Sequence, residues 1–591
     1  MKPYITPLIA AAVLVGANIM LPINSTEQSV DVEAYAFNPS TVTQNLCGPL
    51  GSKRGLLFRP EIARMLSSAA NASDRISSEV PILTGLDHRD FPISSENERA
   101  GAYFRQGFAL LYAFNHWEAI RAFKKAQELD PNCAICFWGE AIALGPNINA
   151  PMTDEAGVLA LSAIQKASAL KEGADVRERA LIEAVEKRYN PDSGITRAEQ
   201  DREYADAMAA VHAAFPDDQD IATLYAEAIM DTSPWDYWER DFSSPHPHIK
   251  VAIDTINNVL EANPDHYGAI HLFIHLYEAS TRAQEAAVHA DKLAGLAPGS
   301  GHLVHMPGHI YFRIGRYLDS LDTNIKAAAV DELYLSETEG SMLYRYGYYP
   351  HNIHFILVSA QMAEDGNTAL KYAQKLDDVI PAEVLKVAEW IAPIKAAPYF
   401  AHSQFANVDE IQALPDPGDS IPYLKAMWHY ARGKVFAETG DSRAAAEQEA
   451  INALMNEEAI KSAGIPAGTI LQLASNTIAA TIKMSMQDYN AAAALMRENI
   501  KLQDSMPYTE PPFWYYAVEQ SLGAALYMDG KYSEAEDAFK ASLIRHPNSA
   551  GSLYGLWQTQ QKLGLDAEAD FTKTLYEKAR RGNEDMAFIG L

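Results

Sequence analysis

The chain has 591 residues, too many for one hydrophobic core, so it must divide into several domains or form a repeat array. Apolar residues make up 48% and charged residues 21%, a composition that supports a large folded core and excludes a disordered chain. Lys and Arg total 48 against 77 Asp and Glu, and the resulting net charge of −29 argues against nucleic acid and anionic membrane surfaces as partners.

The N-terminus has the layout of an export signal. Lys2 is followed by an apolar stretch from Ile5 to Met20 and then by the polar residues Asn24 to Glu27. A short basic start, an apolar centre and nearby small residues are typical of secretory signals. We therefore predict that residues 1–36 form a signal peptide or an uncleaved N-terminal anchor, and that the body of the protein is secreted or periplasmic. No later segment approaches the ~20 continuous apolar residues of a membrane-spanning helix.

A pattern of small and bulky residues recurs along the rest of the chain. The same offsets connect Gly107, Leu110, Ala119, Phe123, Ala126 and Pro131 in one unit and Gly523, Leu526, Ala535, Phe539, Ser542 and Pro547 in another. The small residues let two antiparallel helices approach closely, and the proline ends the unit. This is the helix-turn-helix signature of a tetratricopeptide repeat of about 34 residues. We predict an all-α solenoid of such repeats over residues 98–591, preceded by an irregular N-terminal cap over residues 37–97.

Glycine and proline mark the turns and interruptions of this array. Gly315 predicts the turn between the two helices of a central repeat. Pro398 and Pro511 stand where the helical pattern is broken, so we predict irregular connections at both positions.

Histidines recur in phase with the repeats. Two histidines one helical turn apart return after 34 residues, and a second pair returns after 49 residues. Residues three or four positions apart share one helix face, and the first helices of successive repeats line the concave surface of such a solenoid. We therefore predict that seven imidazoles face one groove. They are His271, His275, His302, His305, His309, His351 and His354.

This groove is a candidate metal site. Neighbouring helix axes lie ~8–10 Å apart, so imidazoles from adjacent repeats can share one ion. The pairs related by 34 residues, His271 with His275 and His305 with His309, are the first choice as ligands, and the other three histidines are second-choice or supporting residues. Glu278 completes a two-histidine, one-carboxylate face on the first helix. The candidate metals are Zn, Fe and Cu.

Two functions are consistent with this pattern. An ion with an open coordination position activates water or dioxygen, which predicts a metal-dependent enzyme. Alternatively, the imidazoles are hydrogen-bonded groove residues of a non-catalytic adaptor that binds a peptide or an envelope protein, which is the commoner use of such solenoids.

Further polar residues stand beside prolines and aromatic residues. Their types suit either packing between irregular repeats or the wall of a pocket. The candidates for this wall are Asn147, Asn149, Asp236, Tyr237, Tyr311 and Arg313. The charge of Arg313 makes it the candidate for holding an anionic substrate.

Together these segments resemble a group of secreted bacterial tetratricopeptide-repeat proteins. The shared motifs are CxxCxWGxAxxxGPNxNxPM, PWDYW, HLxxH, GHLVHMPxHIYxRxGRY and YYPHNxHF, found here at Cys133 to Met152, Pro234 to Trp238, His271 to His275, Gly301 to Tyr317 and Tyr348 to Phe355. The resemblance covers roughly residues 100–360. It implies the repeat type, the fold and export, and it leaves the reaction and the partner open.

Overall fold

The computed structural model describes residues 80–86, 91–190, 194–338, 340–386, 388, 391–462 and 465–582. All of these residues belong to one compact unit, residues 39–591. The predicted signal or anchor, residues 1–36, and residues 37–79 of the predicted cap lie outside the described residues. None of the described helices is both long enough and apolar enough to span a membrane.

The N-terminal repeats are built from helices that pack in consecutive pairs. The pairs are α1 (Glu98–Tyr112) with α2 (His116–Leu129), α3 (Ala134–Ala143) with α4 (Asp154–Leu170), α5 (Val176–Arg188) with α6 (Arg197–Ala214), and α7 (Gln219–Asp231) with α8 (Pro247–Ala262). Several helices begin at a side chain that accepts a hydrogen bond from the first turn, as Asn97, Thr153 and Asp218 do for α1, α4 and α7. A disulfide joins Cys133 to Cys136 at the start of α3.

The same arrangement continues through the rest of the chain. The central pairs are α9 (Tyr267–Tyr277) with α10 (Ala287–Leu296), the two short helices α11 (Gly301–His305) and α12 (Pro307–Arg313) with α13 (Tyr317–Glu337), and α14 (Tyr349–Met362) with α15 (Gly366–Val379). The C-terminal helices are α16 (Ala392–Phe405), α17 (Val408–Ala413), α18 (Pro422–Glu438), α19 (Arg443–Leu454), α20 (Glu458–Ser462), α21 (Ala467–Ser485), α22 (Tyr489–Ser505), α23 (Val518–Met528), α24 (Tyr532–Arg545), α25 (Ala550–Leu563) and α26 (Asp566–Ala579). No β-strand occurs among the described residues. The protein is an all-α solenoid of tetratricopeptide-type repeats.

The spacing of small and bulky residues has a direct packing reason. The fully buried ring of Phe123 on α2 lies against two glycines, one on each neighbouring first helix. A Cβ atom at Gly107 would come within 2.8 Å of this ring, and one at Gly139 within 2.5 Å. Phe539 lies against Gly523 in the same way near the C-terminus, with a hypothetical Cβ distance of 2.9 Å. The glycines of the repeat signature therefore mark positions where neighbouring helices pack too closely to leave room for a side chain.

The predicted turns and interruptions have different outcomes. Gly315 has a φ of +77° in the turn between α12 and α13, which confirms the predicted turn. Pro511 lies in the non-helical connection between α22 and α23, as predicted. Pro398 lies inside α16, so the irregular connection predicted there is wrong. The fully buried neighbours Ala397 and Phe400 provide packing that offsets the ~3 kcal/mol cost of a proline within a helix.

Further contacts join the N-terminal cap to the first repeat and connect repeats that are far apart in sequence. Before α1, the N–H of Leu83 donates to Oε1 of Gln106 on α1 at 2.8 Å. Helix α9 packs against α1, although seven α-helices lie between them in sequence. Near the C-terminus, Nδ2 of Asn548 donates to the carbonyl oxygen of Gly315 at 3.3 Å. The central repeats are therefore held between the two ends of the array.

Candidate metal centre

Three histidines converge where α9 meets α11. His271 and His275 lie one turn apart on α9 and share a face, and His302 comes from α11. Nε2 of His271 lies 3.0 Å from Nε2 of His275 and 3.1 Å from Nε2 of His302. We call these residues the first histidine cluster; their possible ligand atoms all lie within 4.8 Å of one another.

A second group repeats this geometry one repeat later. His305 ends α11 and His309 lies on α12, with their Nε2 atoms 2.7 Å apart. Nε2 of His351, on α14, lies 3.5 Å from that of His309. We call these three residues the second histidine cluster, and their possible ligand atoms also lie within 4.8 Å of one another. Each cluster thus combines two histidines that lie four positions apart with a third histidine from the first helix of the following repeat.

A phenylalanine ring packs against each cluster. Phe114, in the turn between α1 and α2, has its ring centroid 4.5, 5.6 and 5.8 Å from the three rings of the first cluster. Phe355 on α14 has its centroid 4.9, 4.8 and 5.0 Å from the rings of the second cluster. Phe114 has a φ of +54°, a conformation that costs energy for a residue with a side chain. The clusters therefore have equivalent surroundings, and one of them is supported by a strained residue.

Oxygen acceptors hold the outer nitrogens of the paired histidines. The Nδ1–H of His271 donates to the carbonyl oxygen of Tyr112 at 2.7 Å, and that of His305 donates to Oδ1 of Asn324 at 2.5 Å. The amide of Asn324 is oriented by its Nδ2, which donates to the carbonyl oxygen of Ser320. Acceptors of this kind fix the orientation and the tautomer of metal-binding imidazoles.

One buried carboxylate serves both clusters. Glu278, directly after α9, accepts a hydrogen bond from Nδ1 of His275 at 2.7 Å and lies 2.5 Å from Nδ1 of His309. Its side chain is fully buried. In the first cluster, oxygen acceptors face Nδ1 of His271 and His275, so the proton of a neutral ring lies on Nδ1, and the Nε2 lone pairs of these two rings point at one another. A shared cation relieves the repulsion between these lone pairs.

Burial keeps most of these imidazoles neutral. Four of them have a pKa well below the ordinary value of histidine. Burial is the main cause, and repulsion from charge on the neighbouring imidazoles is the second. These four are His271, His302, His305 and His351. Burial also opposes the charge of His309, but Glu278 and Glu510 outweigh it and raise the pKa of His309 to about 10. Burial disfavours the charged form of Glu278, yet His309 and His275 lower its pKa to about 2.

Glu510 belongs to this site although the sequence did not single it out. It comes from the connection between α22 and α23. Oε2 of Glu510 lies 3.3 Å from Nδ1 of His309, and Oε1 accepts a hydrogen bond from the hydroxyl of Tyr508. Burial raises the pKa of Glu510 to about 7, although His309 opposes this shift. The signal in the sequence was the proline pair that follows Glu510, which indicated only an irregular connection.

Both clusters border one cavity of about 390 Å³, which we call the chamber. His275 and His302 of the first cluster line it, as do His309 and His351 of the second. Nine aromatic residues also line it. They are Trp235, Trp238, Phe242, Tyr348, Phe400, Tyr423, Tyr508, Phe513 and Tyr515. A molecule in the chamber can therefore contact histidines of both clusters.

Three of the predicted wall residues lie at or near the chamber. Asn149 and Asp236 line it. Arg313 lines a neighbouring cavity of about 210 Å³ instead. Its Nε donates to the carbonyl oxygen of Glu278 at 3.0 Å and lies 3.8 Å from Oε1 of Glu510. The guanidinium of Arg313, which the sequence analysis assigned to an anionic substrate, therefore already contacts groups of the protein itself.

Three other predicted wall residues do not line the chamber. Nδ2 of Asn147 donates to Nε2 of His116 at 3.2 Å. Tyr237 is buried in the core. The hydroxyl of Tyr311 donates to Oδ1 of Asp291 at 2.8 Å. These side chains pack between repeats, which was the alternative interpretation of their sequence context.

His354 lines the chamber but belongs to neither cluster. Its Nε2 lies 2.6 Å from the hydroxyl oxygen of Tyr515, a residue of the connection that also carries Glu510. Burial lowers the pKa of His354 to about 3. The 49-residue offset grouped it with the candidate ligands, whereas the structure pairs it with a tyrosine far along the chain.

No protein-family model and no curated protein matches the chain. Several solved structures of repeat proteins are similar to it. A human IFIT1 dimer with PPP-AAAA is 13% identical and covers 87% of this chain and 94% of its own, with a TM-score of 0.30. Yeast Tom70 is 12% identical and covers 82% of this chain and 93% of its own, with a TM-score of 0.27. The P58(IPK) TPR domain is 12% identical and covers 79% of this chain and 99% of its own, with a TM-score of 0.21. Likenesses this weak carry no argument about function, and the repeat type rests on the helix pairs described above.

Proposed function

We propose that the protein binds two transition metal ions, one in each histidine cluster. The observation that carries this proposal is the convergence of the Nε2 atoms within each cluster, while oxygen acceptors hold Nδ1 of His271, His275 and His305 and a Glu278 oxygen lies 2.5 Å from Nδ1 of His309. Imidazole binds metals through bonds of about 2.0–2.1 Å, so two ligand nitrogens of one ion lie up to about 4 Å apart. The Nε2 atom of His271 lies 3.0 and 3.1 Å from those of His275 and His302, and that of His309 lies 2.7 and 3.5 Å from those of His305 and His351, which falls within this reach.

The donor set favours copper or zinc over iron. Each cluster offers three imidazoles, whereas iron sites of the two-histidine type include a carboxylate. The sequence placed Glu278 in that carboxylate position, but its oxygens lie at the Nδ1 side of His275 and His309. Glu278, His309 and Glu510 form a third possible donor group, which would use Nδ1 of His309 rather than Nε2. We assign Glu278 a positioning role, and among imidazole-binding ions copper(II) has the highest intrinsic affinity.

A catalytic role follows from the position of the clusters beside the chamber. Three protein ligands per ion leave a coordination position open, as in catalytic rather than structural metal sites. An ion with such a position activates water or dioxygen. Four of the six imidazoles line the chamber, which supports a metal-dependent enzyme acting on a small molecule there. Export to the periplasm or beyond remains part of the proposal, and the basic and apolar pattern of residues 1–36 supports it.

A protein-binding scaffold is the second candidate. Tetratricopeptide solenoids present concave surfaces to peptides and proteins, so the fold itself favours a protein partner. Five of the six cluster histidines are buried, so a peptide has to bind on another surface of the array. A pull-down with and without a chelator separates the two candidates, because an adaptor keeps its partner when metal is removed.

Metal analysis of protein purified without a histidine tag tests the proposed function. We expect about two ions per chain after reconstitution, and less than about a tenth of an equivalent of any transition metal would refute the proposal. His302→Gln and His351→Gln each remove the third ligand of one cluster and should each lower the content to about one ion. His354→Gln is the matched control and should retain both ions, because its ring faces Tyr515. Helical circular dichroism should be the same for all three variants.

A further inference from the structure

The chamber has the dimensions of a small-molecule site. Its volume of about 390 Å³ lies at the lower end of the ~300–1,000 Å³ typical of ligand pockets. An extended peptide spans ~3.3 Å per residue and needs an open groove rather than a cavity of this size. The occupant is therefore a compact molecule of one or two rings.

Aromatic surface begins directly at the candidate ligands. The ring of Trp235 stands perpendicular to that of His275 with a centroid separation of 5.4 Å, and Tyr348 lies 4.8 Å from His302. On another wall, Phe400 and Tyr515 pack with their centroids 4.5 Å apart. Aromatic walls favour a planar ring through offset or edge contacts. A ring held against Trp235 or Tyr348 therefore lies close to His275 or His302.

The charges around the chamber select the substituent. Among the described residues that line it, Arg240 is the one Lys or Arg, and it is exposed. The carboxylates of Asp236 and Glu239 are about half exposed, and His246 lies 3.4 and 3.0 Å from them. Glu510 is buried. Away from the histidine clusters, a carboxylate or phosphate inside would meet the buried carboxylate of Glu510 and no buried guanidinium or ammonium, whereas a neutral hydroxyl carries no such cost.

We propose that the chamber binds a small phenol or catechol, whose ring would lie against the aromatic side chains and whose hydroxyl oxygen would bind an ion held by one of the histidine clusters. This inference rests on the proposed metal pair and adds the class of ligand. The aromatic ring and the hydroxyl are both required, because the walls recognise the first and the ions the second.

The test uses the full chain loaded with metal and kept free of dioxygen. The probe is 4-nitrocatechol, whose absorbance shifts when its oxygens bind a metal ion. We expect a saturable shift with one probe per chain, and no shift after the metal is removed with a chelator. Cyclohexane-1,2-diol carries the same two hydroxyls without the aromatic ring and should displace the probe at least about tenfold less well than unsubstituted catechol.

Two tryptophan variants locate the ring. Trp235→Leu should weaken probe binding about tenfold while the metal content stays the same. Trp557→Leu is the matched control, since Trp557 is also partly buried but does not line the chamber, and it should bind the probe as the wild type does. Two bound ions without a saturable shift, or equal displacement by diol and catechol, would overturn the phenol inference and leave the metal pair intact. A chain that retains no metal would overturn both.

Discussion

Replacing Glu278 by Gln is expected to weaken metal binding in one histidine cluster and spare the other. In the wild type, one carboxylate oxygen faces Nδ1 of His275 and the other faces Nδ1 of His309. Glutamine keeps one acceptor oxygen but turns an NH₂ group towards the second Nδ1–H, so two donors then face each other. Only one of the two rings keeps the orientation that directs its Nε2 at the ion.

The magnitude follows from the contacts that are lost. A hydrogen bond to a charged group contributes about 1.5–3 kcal/mol, equivalent to roughly 10- to 150-fold in an equilibrium constant. Loss of an outer hydrogen-bond partner of a metal-bound histidine typically costs ~10–100-fold in metal affinity. We therefore expect one ion of Glu278→Gln to dissociate at a ~10–100-fold lower chelator concentration than in the wild type.

Competition with a coloured chelator, combined with metal analysis at each step, resolves the two ions. The wild type should lose both ions over one narrow range, whereas the variant should pass through a plateau with about one ion per chain. Glu285→Gln, on the exposed surface nearby, is the control and should behave as the wild type does. Equal retention of both ions in Glu278→Gln would refute the assignment of this carboxylate as a shared positioning residue.

Three other perturbations test the packing, the buried imidazoles and the metal. Gly139→Ala places a Cβ atom 2.5 Å from the Phe123 ring and should lower the free energy of unfolding by ~1–3 kcal/mol in chemical denaturation, whereas Gly295→Ala meets nothing within 4 Å and should be neutral or stabilising. Burial lowers the pKa of His116 from 6.5 to about 4, so its contribution to stability is complete above pH 6.5 and is lost as the pH falls towards 4. The variant His116→Gln can still accept a hydrogen bond from Asn147 but does not titrate. Its free energy of unfolding should therefore fall less between pH 7 and pH 4 than that of the wild type, by up to about 3 kcal/mol. An unchanged pH profile would contradict this. Chelation should lower the melting temperature of the wild type, since ions that bind only the native state stabilise it by ~2.7 kcal/mol at 100 times their Kd, and the double variant His302→Gln, His351→Gln should not respond.

The helical repeats were predictable because they depend on local spacing. The Gly107 and Phe123 offsets describe contacts inside one repeat and with the next, and these contacts are what the structure contains. The in-phase pairs, such as His271 with His275, were predictable for the same reason. Which histidine completes each cluster was not predictable. The pairs His271 with His275 and His305 with His309 were expected to share one ion, but they belong to different clusters.

The remaining differences arise from which nitrogen a side chain meets and from how distant repeats meet. Glu278 follows His275 at ligand spacing and keeps a helical backbone, but its carboxylate lies at the outer nitrogens, Nδ1 of His275 and of His309. Glu510 reaches His309 from a connection about 200 residues away, through the packing of whole repeats against one another. No local periodicity describes that contact.

The contacts that cross the interior change how the array should unfold. In an open solenoid each repeat touches only its neighbours, and terminal repeats fray without affecting the centre. Here the carbonyl of Tyr112 holds His271 across 159 residues, and Asn548 bonds to Gly315 across 233 residues. These long-range hydrogen bonds connect both ends of the array to its middle. Partial unfolding from either end therefore removes contacts from the same central helices. We expect one cooperative transition in place of stepwise melting, and shortening the chain at either end should cost more than the repeats that are removed.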